Sequence, residues 1–322
     1  MALRNSTPHP IAGGQAAAVA LALALSGCSI ERLAIRRLGD ALARSGSTFA
    51  SDDDPELVKA AVPFSLKLIE SLLAESPRHE GLLLAAASGF TKYSFAFIEQ
   101  EADELAPKDL TAAEALRRRA LRLYSRARGY GLRGLEVRHE GFEGALRTDP
   151  RAAAGVTTAS DVPLLYWTAA SWGRMISLSK DDPEAIADQA IVEALIYRAL
   201  VLDEDFGDGA IHGFLISYEM ARQGARGEPA DRAFEHYRRA MELSGGREAG
   251  PPVALAEAVA VQKQDRALFR MMLELALSID VNRRPESRLA NLVMQRRARW
   301  LLSRVDELFV EPEPPPEIKE EK

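Results

Sequence analysis

The sequence predicts an all-α fold in which helical hairpins stack as a solenoid. The chain is 47% hydrophobic, with Ala, Leu, Arg and Glu dominant, and that composition favours helices. From Ile30 onward, short segments rich in Pro, Gly and Asp divide it into pieces one or two helices long, none of which has a strand pattern. The segment 161–180 is apolar on every side when plotted at about 100° per residue, which predicts a buried helix with other helices around it.

The predicted buried helix, 161–180, is the segment around which the fold is organised. Asp161 is expected to cap it, and Pro163 suits the first turn, where a missing N–H costs nothing. Trp167 and Trp172 are five residues apart, so their indoles point about 140° apart. Small neighbours either allow close helix contact or leave a space: Ala169, Ala170, Ser171 and Gly173. Two interpretations stay open, a packed core helix and the wall of an internal cavity.

Charge and length limit the classes of function. The chain has 322 residues and a net charge of −6, so nucleic acid is not the expected main partner. The arginine run 117–119 is interpreted as a solvated helix face. The segment 113–136 predicts a long arginine-rich helix that ends in glycines (Gly129, Gly131 and Gly134).

The N-terminus predicts export and lipidation. Arg4 precedes an apolar run, 11–25, that is too short for a permanent membrane helix. The run ends in Leu-Ser-Gly-Cys28, which resembles a bacterial lipobox. We therefore predict a signal peptide at 1–27 and a lipid on Cys28, the only cysteine. Several acyl chains would give stable attachment in the periplasm, and by analogy with Gram-negative sorting Ser29 favours the outer membrane.

Four predicted helix ends resemble the second helix of a tetratricopeptide repeat: 68–77, 194–203, 236–243 and 273–280. A small alanine recurs after 41 residues from Ala199 to Ala240, and after 36 residues at Ala276. A regular repeat would hold near about 34 residues. The sequence thus predicts a degenerate tetratricopeptide-like domain over 28–310. The acidic, proline-rich tail 311–322 is predicted to be disordered.

Several segments together resemble the T component of tripartite ATP-independent periplasmic (TRAP) transporters. They are 161–180, 205–212, 262–269 and 288–300, and the lipobox adds to them. The resemblance runs from the lipobox to Phe309. It implies an all-helical homotrimer with a channel or cavity through each protomer. It also implies association with the solute-binding P component and a hydrophobic or amphiphilic ligand.

Five residues of the organising helix are candidates for lining this cavity: Tyr166, Trp167, Ser171, Trp172 and Gly173. Aromatic faces would hold an apolar ligand, and the two hydroxyls would supply polar contacts. The alternative is that these side chains pack in a core.

His212 and Glu219 lie seven residues apart, on about one helix face. His212 is interpreted as hydrogen-bonded to a backbone carbonyl or to Glu219, with a polar cavity lining as the alternative. A metal site would need further ligands at suitable spacing, and none is expected.

Arg296 and Arg297 fall on helix faces with apolar neighbours and therefore need partners. Ion pairs with Asp265, Glu257 or Glu274 are the first interpretation, and binding of an anion or carboxylate is the second.

No catalytic or cofactor motif stands out, and the glycines of 129–134 follow a helix rather than a strand. The sequence therefore predicts a non-enzymatic periplasmic lipoprotein, accessory to a TRAP system, that binds its solute-binding protein and holds or conducts the ligand. The alternative is a tetratricopeptide scaffold for envelope or outer-membrane assembly, which predicts an open superhelix without an enclosed cavity.

Overall fold

The computed structural model describes residues 37, 46–222 and 224–310, and every regular element within these ranges is helical. The predicted all-α class is confirmed for this part of the chain. Cys28, the predicted signal peptide 1–27 and the predicted tail 311–322 lie outside the described residues.

Seven helices form the first half of the described chain. They are α1 (Gly46–Ala50), α2 (Pro55–Glu75), α3 (Glu80–Leu105), α4 (Leu110–Arg138), α5 (Phe142–Thr148), α6 (Pro150–Gly155) and α7 (Val162–Leu178). A π-helical segment, Ser94–Glu99, interrupts α3, and a 3₁₀ turn, Ala159–Asp161, precedes α7.

The second half contains shorter helices. They are α8 (Pro183–Ala187), α9 (Gln189–Leu202), α10 (Phe206–Ala221), α11 (Pro229–Leu243), α12 (Gly250–Leu255), α13 (Arg266–Ser278), α14 (Arg288–Leu302) and α15 (Val305–Leu308). A second π-helical segment, Ala256–Ala260, follows α12. In α10 the residues Gly207, Asp208 and Gly209 have left-handed backbone angles, so regular helix begins only after them.

Aspartates immediately before the first turn cap several helices. Their carboxylates accept hydrogen bonds from backbone N–H groups of the first turn, which otherwise have no partner. They are Asp54, Asp109, Asp149, Asp182 and Asp265.

The organising helix α7 lies where the sequence places it, but its cap differs. It contacts α3, α4, α9 and α10, as expected for a helix that is apolar on all sides. The side chain of Asp161 does not cap α7. It instead accepts hydrogen bonds from the backbone N–H of Thr158 at 2.8 Å and from Arg138 at 2.9 Å.

The glycines of α4 form a helix contact rather than a helix end. The helix continues past them to Arg138. A Cβ on Gly131 would lie 2.1 Å from Oγ1 of Thr168, and a Cβ on Gly134 would lie 2.6 Å from Cδ2 of Leu164. Only glycine lets the backbones of α4 and α7 approach this closely.

The longer helices pack on helices near them in the chain, and the last helices of the described residues also contact the first. Each of the four similar helix ends contains a helix C-terminus, and Ala199, Ala240 and Ala276 are buried. The last long helix, α14, then contacts α1 and α2. Val293 is buried in the apolar cluster formed by α2, α3 and α4. The guanidinium of Arg296 binds the carboxylate of Glu104 on α3 at 2.7 Å.

The helix α3 is long and apolar enough to cross a membrane, by length and composition. Over half of that apolar window is buried inside the protein. Its contacts with α2, α4 and α7 account for its composition, as in the core helix of a globular fold.

Two glycines of α4, Gly129 and Gly131, provide a matched test of the α4–α7 contact. Gly131→Ala places a methyl group against Thr168, so we expect a loss of about 1–3 kcal/mol in the free energy of unfolding. Gly129 has open space where its Cβ would lie. Gly129→Ala is therefore expected to gain about 0.5–1 kcal/mol. Urea denaturation measures both, and equal effects of the two substitutions would contradict the close contact.

Asp161 is expected to give the stability a pH dependence. Burial acts to raise its pKa, but hydrogen bonds from Thr158, Arg138 and His139 outweigh burial and lower the pKa to about 2. Because the folded pKa lies below the unfolded value, the contribution of about 2 kcal/mol is present above pH ~4 and is lost as the pH falls towards 2.

The substitution Asp161→Asn tests this dependence, because an amide has the shape of a protonated carboxyl. At pH 7 the variant is expected to unfold at a lower urea concentration than the unsubstituted protein. This gap should narrow as the pH is lowered from 4 to 2. A gap that stays constant over this range would show that the carboxylate charge is not the cause.

Candidate functional site

A half-enclosed apolar cavity of about 430 Å³ lies between the beginning and the end of the described chain. Its walls come from α1, α2, α3 and α14, and one residue of α7 reaches it. The packing of α14 against α1 and α2 therefore completes this cavity, since residues of all three helices line it.

Apolar side chains form most of the lining. They are Phe49, Ala50, Val58, Val62, Leu66, Ile69, Ala85, Tyr93, Phe95, Ala96, Phe97, Trp167, Leu289, Ala290, Val293 and Met294. Four residues add polar groups, Ser65, Ser88, Lys92 and Glu286, and the hydroxyl of Tyr93 is a fifth polar group. An apolar pocket with few polar groups is the usual form of a site for a small organic ligand.

Lys92 is the only cation among the residues that line the cavity. Its ammonium lies 5.0 Å from the ring centroid of Trp167. Many protein atoms lie around the ammonium, but the side chain of Lys92 is exposed and lines the half-enclosed cavity. Burial lowers its pKa from the ordinary value. Among the described residues no carboxylate forms a salt bridge with it.

Of the predicted cavity residues, Trp167 lies at the cavity and Tyr166 lies beside it. Trp167 is half-buried and lines the void. The ring of Tyr166 contacts Trp167 edge-on at 4.8 Å and Phe206 at 5.2 Å. Burial raises the pKa of Tyr166 to about 12, so its hydroxyl stays neutral.

The next turn of α7 packs in the core instead of lining this cavity. Trp172 is only 2% exposed, and its indole N–H donates to Asp188 at 3.0 Å. The hydroxyl of Ser171 donates to the carbonyl of Thr168, also at 3.0 Å. A Cβ on Gly173 would lie 3.1 Å from the ring of Phe214, so this glycine admits an aromatic side chain from α10.

His212 and Glu219 belong to two polar networks away from the cavity. The Nδ1 atom of His212 lies 2.8 Å from Nδ1 of His236, and its Nε2 lies 3.1 Å from Glu204. The expected partner of His212, a backbone carbonyl or Glu219, is replaced by these two side chains. Burial, and then the charge of His212, lower the pKa of His236 to about 4, so both rings are neutral at pH 7.

Glu219 is completely buried and serves as the centre of an ion-pair network. Its carboxylate binds Arg232 and the hydroxyl of Tyr197, and Arg222 lies 3.3 Å away. Burial acts to raise its pKa, but these partners lower it, so the carboxylate is charged. No group of three or more His, Cys, Asp or Glu side chains among the described residues could hold a metal ion.

The candidate arginines form ion pairs within the protein. Arg296 binds Glu104 at 2.7 Å and Glu56 at 3.3 Å. Arg297 binds Glu257 at 2.6 Å and Asp103 at 3.0 Å. Asp265 pairs with neither and caps α13 through the N–H of Leu268. The described geometry therefore fits the ion-pair interpretation, with Glu257 as the partner that the sequence suggests. Whether any of the residues predicted from the sequence binds a ligand is not tested by this geometry, so their ligand-binding role remains a prediction.

Of the residues that line the cavity, only Trp167 was predicted from the sequence, although the sequence carries a signal for Lys92. It is the only charged residue from Gly81 to Ile98. No acidic residue lies three or four positions from it, so a helical ion pair is absent. A lone cation in an apolar helix indicates either a functional site or a partner from another element.

The chain is similar in sequence to a known protein family and to a bacterial protein. The family model of the TRAP transporter T-component matches residues 51–309. An uncharacterized protein of Treponema pallidum (strain Nichols) is 29% identical over 327 residues, covering 94% of this chain and 99% of that protein. The matched residues form most of the chain and contain every wall of the cavity except Phe49 and Ala50. This protein therefore belongs to the TRAP transporter T-component family, a family of transport accessory proteins rather than enzymes.

Proposed function

We propose that the protein is a periplasmic lipoprotein subunit of a TRAP system that holds or conducts a small hydrophobic or amphiphilic ligand in the cavity beside Trp167. The observation that carries this proposal is the half-enclosed apolar cavity in a member of a transport accessory family. Its volume of about 430 Å³ lies within the range of about 300–1,000 Å³ that is common for small-molecule sites.

The remaining parts of the proposal concern assembly. We propose that the tetratricopeptide-like surface binds the solute-binding P component and that the protein forms a homotrimer. A lipid on Cys28 would hold the protein at a membrane, with the outer membrane favoured. Such an anchor raises the local concentration of a partner near the same membrane. The scaffold alternative predicts an open superhelix, so the contact of α14 with α1 and α2 supports the transport proposal instead.

Filling the cavity tests ligand holding. Ala290 is exposed and lines the void, and Ala152 is exposed on α6 outside it. We expect Ala290→Phe to weaken binding of the neutral fluorescent probe N-phenyl-1-naphthylamine by about tenfold or more, because the new ring occupies the site. Ala152→Phe should leave the affinity unchanged. Equal affinity of all three proteins for the probe would contradict ligand holding in this cavity.

The anchor and the partner are tested in cells. The substitution Cys28→Ser is expected to move the protein from the membrane fraction to the soluble periplasmic fraction, because the acylated thiol is absent. The unsubstituted protein, purified from native membranes, is expected to retrieve a solute-binding protein of the TRAP type. Repeated recovery of other partners without a solute-binding protein would refute the assembly part of the proposal.

A further inference from the structure

Among the described residues, the cavity combines an apolar wall with one cation, Lys92, that forms no ion pair. Three half-buried arginines have carboxylates in contact: Arg174 binds Glu99, Arg297 binds Glu257, and Arg222 binds Glu193. Arg128 instead lies over the ring of Trp172, but outside this cavity. In the described part of the chain, the interaction found for the ammonium of Lys92 is with the face of Trp167, to which a cation is attracted.

The other charged group of the lining does not neutralise Lys92. Glu286 is 74% exposed to solvent, and the nearest described cation to its carboxylate is Arg284 at 3.9 Å. The remaining polar groups of the lining are the hydroxyls of Ser65, Ser88 and Tyr93. The half-enclosed cavity therefore presents an ammonium that contacts no described carboxylate and can form a charge-assisted hydrogen bond with an anion.

We propose that Lys92 is the specificity-determining residue of the cavity and that it selects amphiphiles with a single anionic headgroup, such as a carboxylate. The headgroup binds the ammonium beside Trp167. The apolar tail lies against the side chains of α2 and α14, which include Leu66 and Val293. This inference rests on the proposed function, because it names the class of ligand that the same cavity holds.

The chemistry of the site excludes the other two headgroup classes. A cationic headgroup would be repelled by the ammonium and could use only the ring of Trp167. A neutral headgroup would leave the charge of Lys92 unpaired. An anion forms a charge-assisted hydrogen bond with the ammonium, and the apolar walls of the cavity strengthen this bond relative to bulk water.

The test compares three ligands that share a tail and differ in charge: dodecanoate, dodecanol and dodecyltrimethylammonium. The full chain carries Cys28→Ser, which leaves every described residue unchanged. Affinity is measured by displacement of N-phenyl-1-naphthylamine, below the concentration at which each amphiphile forms micelles. We expect dodecanoate to bind about tenfold or more tightly than dodecanol, and dodecyltrimethylammonium to bind most weakly.

Three variants assign the preference to Lys92. Lys92→Met keeps most of the apolar stem and removes the charge, so dodecanoate should lose its advantage while dodecanol binds as before. Lys92→Arg should restore the preference. Lys67→Met is the matched control, because Lys67 is an exposed lysine on α2 that lies outside the cavity lining. It should preserve the preference of the parent protein.

The outcomes separate the inference from the proposed function. If dodecanol and dodecanoate bind equally to the parent protein, or if the preference survives in Lys92→Met, the inference is wrong and ligand holding stands. If neither the probe nor any amphiphile binds, the proposed ligand function fails and the inference fails with it. Loss of dodecanol binding in Lys92→Met would also overturn the inference, since the lysine would then act through the structure of the cavity.

Discussion

The cavity depends on the packing of α14 against α1 and α2. Val293 enters the apolar cluster of α2 and α3, and burying such a side chain stabilises the contact by about 1.5–3 kcal/mol. Arg296 binds two glutamates beside it, but partly exposed ion pairs contribute only about 0–1 kcal/mol each. The apolar contact therefore holds α14 against α2 and α3, and the ion pairs of Arg296 orient α14. Without this contact the apolar sides of α2 and α3 would face solvent, and these helices would form an open surface instead of the wall of a cavity.

The two π-helical segments determine where several side chains point, both at the cavity and in two ion pairs. In an α-helix successive side chains point about 100° apart, so three in a row do not share a face. Phe95, Ala96 and Phe97 nevertheless all line the cavity, and they lie in the wider turn Ser94–Glu99. The last residue of that turn, Glu99, faces the interior and binds Arg174. The second segment, Ala256–Ala260, similarly supplies Glu257 to Arg297. Each π turn thus directs a carboxylate at an arginine from another helix.

Local sequence was enough for the parts of the fold that depend on local composition. The apolar character of α7, the aspartate breaks and the lack of strands follow from residues close together in the chain. The partners of single side chains were harder to predict. The spacing of Trp167 and Trp172 gives the angle between their indoles, but the buried position of Trp172 depends on contacts with distant residues, including the hydrogen bond to Asp188. His212 similarly finds its partner on α11, 24 residues away.

Protein interiors are normally filled, so an apolar void needs a reason to stay open. Here each wall helix is held on a side away from the void: α3 packs on α4 and α7, and α14 packs on α13. Collapse of α14 into the cavity would break its contact with α13 and strain its ion pairs, and it would press Lys92 into apolar surroundings without an anion. A ligand with an apolar tail and a negative charge would both fill the void and supply an anion to Lys92. By linkage, binding such a ligand also stabilises the contact between α14 and α2 that forms its site.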